Sequence, residues 1–455
     1  MISYKKSKEI LRKSKIKIGD EYVDTNNCLD RVTSSNIYVK SNYPLGNNAA
    51  FDGYAIKSID TNKLHKKFYK KFKIIGSIAA GNKPFNKLVK KYEAVEIMTG
   101  ALIPKAFDTI IPIEKINFFP NKKNRKYILL NKKIPKFEHV RFKGSDYKKN
   151  DLLISKGTII QSNHILALRT LGINKLKVKK KPTILFFSTG NEITNKNKIL
   201  DWEVRNSNSY YIKSLNRSFL FNFIDGGILR DNQSKLFENK INKMLKSKVD
   251  LLITSGAVSA GKFDFVPSVV KSFKLSGYFK SVSIRPGKPV LFAKIKDKPK
   301  AIFGLPGNPI SSAACFRFFV YPYVKSILGM PEEIPFKAKL KNEFIKKKEF
   351  TRFVKSKINT TKNGKLEVKI LKGQESFRIK SFIQSNVWVI LPSGKSKFKK
   401  GEFVDCIFSN HPFSSRYRKS DHRKLPRLHN QTGKPIRSHQ MTSTLLHYCL
   451  QKSIV

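Results

Sequence analysis

A chain of 455 residues, 40% of them apolar, has material for several packed cores and is too apolar to remain unfolded. No run of about 18 uncharged apolar residues exists, since even 315–324 holds Arg317 and Pro322. The start, MISYKKSKEIL, lacks the apolar core of a signal peptide, so neither a membrane span nor export is expected. The net charge of +59 comes from 74 lysines and only 17 arginines, spread along the chain among Asn and Ile. That distribution fits solvated faces rather than a nucleic-acid-binding arm, although the positive field would steer anionic substrates. Cys28, Cys315, Cys406 and Cys449 show neither metal-ligand nor disulfide spacing, which fits a reducing cytoplasm.

In chain order, a helix is expected over 3–13, followed by an extended stretch over 23–39. Short apolar runs at 72–78, 94–98, 109–113 and 127–130 alternate with turns and predict a small β-rich module. A helix over 163–171 should stop at Gly172. From 182 the style changes. Strands at 183–187, 223–229, 251–254, 290–293 and 301–303 alternate with helices at 207–222 and 234–248, which argues for a parallel α/β sheet. Asn308 as N-cap and Pro309 at N1 open a helix over 310–328, kinked at Pro322 and stopped by Gly329. Short strands then return, with turns at Asn363-Gly364 and Ser393-Gly394, as in a small β-barrel-like module.

This reading yields an α/β and β multidomain fold. An N-terminal domain (1–44 with 138–178) carries an inserted β-rich domain (45–137). A central α/β domain with a parallel-type sheet (179–330) precedes a C-terminal β domain (331–410). Residues 411–455 hold five of the eight histidines but only four of the 74 lysines, and carry no periodicity, so a structureless extension is expected. His411, His422, His429 and His439 there have ligand chemistry but no scaffold to aim it.

The chemistry concentrates in the loops of 188–309. Ser188-Thr189-Gly190 and the run from Thr254, Ser255 and Gly256 through Ser259 to Gly261 are small, and offer hydroxyls and amides to phosphate-like oxyanions. Pro306-Gly307-Asn308 delivers a helix N-terminus, and Arg285-Pro286-Gly287-Lys288 puts two cations on one turn. Glu192, Asp231 and Asp264 stand beside these loops and suit a hard divalent cation bridging carboxylates and substrate oxygens. Neither a P-loop nor a GxGxxG fingerprint is present, which excludes an ordinary NTPase or NAD enzyme.

Five segments, read in order, resemble the MoeA family of molybdopterin molybdenumtransferases, which includes the E domain of gephyrin. They are 48–55 (NAAFDGYA); 97–101 (IMTGA) with Pro104; 188–192 (STGNE); 254–264 from Thr254 to Asp264; and 286–289 (PGKP) with 304–309 (GLPGNP). The resemblance implies a molybdopterin-binding central domain in a four-domain homodimer. It also implies insertion of molybdate into adenylylated molybdopterin with release of AMP, assisted by Mg2+. It places Asp52 and Thr99 opposite the central cleft, from the partner subunit, and makes Glu192, Asp231 and Asp264 catalytic and metal-binding. Arg285 and Lys288 would face them, with Asp146, Arg352 and Ser376 contributing to substrate binding. Ala257, Lys262 and Arg285 depart from the family pattern, which has glycine, an acid and lysine there. The competing readings are a molybdopterin adenylyltransferase and a non-catalytic scaffold of the same fold.

Overall fold

The computed structural model describes residues 1–83, 86–218, 220–259, 261 and 264–409. The expectations for 411–455, for Cys449 and for Lys262 lie outside these residues.

Helix Tyr4–Lys13 starts at Ser3, whose Oγ accepts from the Lys6 N–H at 3.1 Å. Leu11, with Ile16 and Ile18 beyond the helix end, joins the core of the central domain, and Tyr323 Oη donates to the Ser14 carbonyl at 2.8 Å. The N-terminal module proper pairs Asp20–Asp24 with Lys175–Lys179, and Ile37–Tyr38 with Leu152–Ile154, around a core that includes helix Ser162–Thr170.

The β-rich module is one six-stranded sheet in the order Thr109–Pro112, Gly53–Ile56, Glu93–Ile97, Lys70–Ile78, Arg125–Leu130, Asn117–Pro120. It buries both faces, with Ala55, Val95 and Ile97 in one core and Tyr54, Ile56 and Ala94 in another. Strand Gly53–Ile56 is therefore buried at every position. It lacks the polar alternation that marks a half-buried strand, which is why periodicity missed it.

The central domain is built on strands β1 (Thr183–Thr189), β2 (Asn222–Leu229), β3 (Leu251–Ser255), β4 (Leu275–Lys280), β5 (Leu291–Ile295) and β6 (Ala301–Leu305), in the order β2-β1-β3-β6-β5-β4. The sheet is mixed rather than wholly parallel. β2, β1, β3 and β6 run together, whereas β5 pairs antiparallel with both β6 and β4. The physical reason is the link between β5 and β6, Lys296-Asp297-Lys298-Pro299-Lys300, which suffices for a hairpin and not for a crossover helix. From β1 the chain crosses to β2 on one side, and from β2 it returns past β1 to β3 on the other. The carboxyl ends of β1 and β3 thus flank a topological switch point, where open α/β sheets bind ligands.

The helix opened by Pro309 runs as Pro309–Cys315, a π-helical turn Phe316–Val320, and Tyr321–Ile327. A proline cannot donate its missing N–H, and its ring crowds the preceding turn. The wider turn just before Pro322 absorbs that, where a kink was expected. The C-terminal module is a closed five-stranded barrel: Thr351–Thr360 pairs with both Leu366–Ile370 and Val387–Leu391, and Phe403–Phe408 joins Val387–Leu391 to Phe336–Leu340. A two-residue strand of the central domain, Ile284–Arg285, adds to it beside Thr351–Arg352.

Candidate active site

Three strand ends meet at the switch point. At the end of β1, Ser188 Oγ donates to Asn206 Oδ1 at 2.7 Å, and Thr189 Oγ1 donates to the Ser255 carbonyl at 3.1 Å. At the end of β3, Asn208 Nδ2 donates both to Ser255 Oγ at 2.7 Å and to the Gly307 carbonyl at 2.8 Å. Ser255 Oγ in turn donates to the Pro306 carbonyl at 3.2 Å, and the Gly256 N–H to the Leu305 carbonyl at 2.9 Å. The loops after β1, β3 and β6 are therefore one bonded unit. Within it Thr254 Oγ1 and Asn206 Nδ2 are buried without hydrogen-bond partners among the described residues, a costly state. The Asn308 side chain makes no cap bond, contrary to its expected role; only its carbonyl joins the helix, accepting from Ser312 N at 2.9 Å.

The three expected carboxylates rim this unit. Asp264 Oδ2 accepts from the Gly261 N–H at 2.7 Å, closing the loop that also carries exposed Ser259. The Glu192 carboxylate folds back over Gly190, so that a side chain added there would lie 2.5 Å from Oε2. The Asp231 N–H donates to Asn191 Oδ1 at 3.1 Å, which ties the start of its loop to the β1 loop. Among the described residues no three His, Cys, Asp or Glu side chains form a ready metal cluster. The donor chemistry still fits Mg2+, which characteristically takes one or two carboxylates and completes its shell with water and substrate phosphate oxygens.

Arg230, Asn206 and Asn208 are structural members of the site that the sequence reading did not single out. Arg230 Nη1 donates to the carbonyls of Gly190, Asn191 and Ile193 at 3.2, 2.7 and 3.0 Å, fixing the whole β1 loop. The available signal was the polar cluster Arg205-Asn206-Ser207-Asn208 after the glutamate loop.

Ala257 has φ +51, so this departure from glycine falls on a left-handed position. Ala257→Gly is expected to stabilise the protein by about 0.5–1 kcal/mol, raising the thermal midpoint by about 1–3 °C in scanning calorimetry. A midpoint that falls would show that the loop carries no strain.

The cations stand on the seam between central domain and barrel. Arg285 is exposed, with its guanidinium 4.7 Å from the Phe350 ring centroid, and pairs with Arg352 across adjacent strands. Burial, then the neighbouring Arg285 charge, pushes the Arg352 guanidinium below its ordinary value, with Glu375 opposing. Two adjacent cations with one partial counter-charge favour an anion. Exposed Lys288 follows on the same turn, which packs on the Pro309 helix through Gly287 and Cys315. Ser376 sits in a loop held by buried Lys355, whose Nζ donates to the Glu375 and Arg378 carbonyls at 3.1 and 3.0 Å. Burial lowers that amine to about 8.

Asp52 and Thr99 lie together on the β-rich sheet. The antiparallel register Gly53↔Ile97 carries Asp52 beside the turn after Glu93–Ile97. There Asp52 Oδ1 accepts from Thr99 N at 2.6 Å and from Thr99 Oγ1 at 2.7 Å. The backbone bond first, then the hydroxyl, holds this exposed carboxyl below its ordinary range, so it stays ionised near neutral pH. Among the described residues no hydrogen bond or ion pair joins this pair, or exposed Asp146, to the loops of 188–309.

Fold and site together define a multidomain chain with a polar, loop-lined crevice at the switch point of an α/β sheet. The MoeA N-terminal region (domains I and II) matches residues 2–172, the probable molybdopterin binding domain 186–326, and the MoeA C-terminal region (domain IV) 337–408. The chain is 32% identical over 386 residues to the molybdopterin molybdenumtransferase of Staphylococcus aureus strain COL, covering 84% of this chain and 89% of that protein. It is 30% identical over 411 residues to that of Staphylococcus epidermidis strain ATCC 12228, covering 90% and 96%. A crystal structure of the molybdopterin biosynthesis MoeA protein from Pyrococcus horikoshii superposes with a TM-score of 0.76 at 28% identity, covering 90% of this chain and 100% of that one. The chain belongs to the MoeA family of molybdopterin molybdenumtransferases.

Proposed function

We propose that this chain inserts molybdenum from molybdate into the dithiolene of adenylylated molybdopterin and releases AMP. The observation that carries this reading is the bonded unit of the β1, β3 and β6 loops, rimmed by Glu192, Asp231 and Asp264, in a chain with every MoeA region. Thr254 Oγ1 and the N–H groups of Gly307 and Asn308 at the helix start are the donors left to bind the pyrophosphate, while Ser188 to Gly190, Ser255, Gly256 and Pro306 shape the crevice through bonds to one another. Arg285 and Lys288, with Arg352 behind them, hold the molybdate dianion. Glu192, Asp231 and Asp264 would hold Mg2+, which would supply charge neutralisation for the substrate phosphates.

Asp52 and Thr99 act in this reading from the partner subunit of a homodimer. What supports it is an exposed, ionised carboxylate and its hydroxyl that, among the described residues, make no bond to the crevice of their own chain. The free, buried thiols of Cys28, Cys315 and Cys406 suit a cytoplasmic setting. No helix among the described residues is long and apolar enough to cross a membrane.

Purified protein supplied with adenylylated molybdopterin, molybdate and Mg2+ is expected to release AMP, measured by chromatography. An adenylyltransferase would instead consume ATP and release pyrophosphate, and a scaffold would do neither. Folded protein that releases no AMP would falsify the assignment.

A further inference from the structure

The loop that follows Glu192 is held rigidly by polar bonds while its large apolar side chains face outward. Ile193–Thr194 pairs in parallel with Val204–Arg205, the Val204 N–H donates to the Glu192 carbonyl at 2.7 Å, and the Asn206 N–H donates to the Thr194 carbonyl at 2.9 Å. Inside the loop Glu203 closes the turn, accepting from the Leu200 N–H and from Lys196 Nζ, both at 3.0 Å. Arg230 clamps its first residues, and Asn206 anchors its last to Ser188. On this frame Leu200, Trp202 and Val204 are all exposed, Trp202 at 71%. Trp202 makes no hydrogen bond or ring contact with any described residue.

Three exposed apolar side chains within five residues, on a loop ordered by other means, are a surface kept for an occupant. Trp202 lies two residues from Val204, and hence about 7 Å of extended chain from the point where the loop bonds to Glu192. Both feet of the loop are part of the phosphate-binding unit. The indole is therefore tethered within short reach of the strand ends. The substrate of the proposed reaction carries planar heteroaromatic rings at short reach from its phosphates, and an indole face stacks on such rings with little dependence on their identity.

We propose that Trp202 is a stacking platform for a heteroaromatic ring of the substrate, with Leu200 and Val204 forming its apolar margin. This rests on the molybdopterin reading of the crevice. The ring is either the pterin or the adenine, which share the flat, polarisable face an indole recognises.

The chain contains two tryptophans, and Trp388 is buried in the barrel seam at 1% exposure, so Trp202 dominates the quenchable emission. Full-length protein is titrated with AMP alone and, separately, with a soluble pterin alone, following tryptophan emission and binding heat. One probe is expected to quench the wild-type emission, and that probe identifies the ring. Trp202→Ala should weaken its binding about tenfold, and Trp202→Phe by less, because a phenyl ring still stacks. Wild-type protein that releases AMP in the full reaction yet shows no quenching with either probe overturns the platform and leaves the transferase reading intact. Quenching without AMP release in the full reaction supports the platform and removes the transferase reading. If Trp202→Ala binds both probes normally but shifts the mass in light scattering, the patch is a subunit contact and the proposal fails.

Discussion

Asp264→Asn is expected to lower AMP release about 10²- to 10³-fold while leaving the thermal midpoint unchanged. The two halves of that result come from different properties of one side chain. Asp264 Oδ2 accepts the Gly261 N–H at 2.7 Å, and an asparagine carbonyl oxygen can accept the same bond. The loop should therefore keep its shape. What asparagine cannot supply is negative charge, which a divalent cation or a positively polarised group on the substrate requires. Single-turnover AMP release measures the first half and scanning calorimetry the second. If activity stays within about threefold of wild type, Asp264 merely closes its loop, and the charge at the site must come from Glu192 and Asp231.

Gly256→Ala should cost about 2–4 kcal/mol of stability. Gly256 has φ +108, and a Cβ there would overlap the Thr189 carbonyl oxygen and lie 2.5 Å from Thr189 Oγ1. These are backbone and a buried hydroxyl at the end of β1, and Thr189 Oγ1 is itself bonded to the Ser255 carbonyl. Nothing flexible can move aside, so the loops after β1 and β3 must separate. Gly394→Ala isolates the conformational part, because φ there is +88 but no heavy atom lies within 4 Å of the added carbon. The Gly256 variant should lose several degrees more in thermal midpoint than the Gly394 variant. Equal losses would mean that contact between the two strand ends does not hold the crevice together.

Elements with a one-sided apolar pattern or a strong boundary residue were legible in the sequence. Helix Tyr4–Lys13 with its Ser3 cap, the strands of the central sheet before Gly/Ser loops, and the helix opened by Pro309 all stand where local chemistry put them. Three elements departed from what local pattern suggested. Strand Gly53–Ile56 is buried on both faces and shows no alternation. Helix Val266–Lys271 is a single short stretch with Pro267 at its second position, too brief for a periodic signal. The helix expected over 207–222 ends its α-helical part at Ser214 and tightens into a 3-10 turn over Leu215–Ser218.

By itself the sequence carried the family of this protein and its candidate chemistry: which segments resemble which family, which residue types offer donors to oxyanions, and which carboxylates lie near them in the chain. Side-chain type and local spacing carry that information directly. Only the tertiary structure decided how the pieces join. Strand order makes the ends of β1 and β3 a switch point, and the register Gly53↔Ile97 brings Asp52 to Thr99. A strand of the central domain carries Arg285 to Arg352 on the barrel, and a left-handed backbone at Ala257 turns a conservative departure into a strained one. Each of these depends on contacts between residues distant in the chain, and no local pattern encodes which strand will lie beside which.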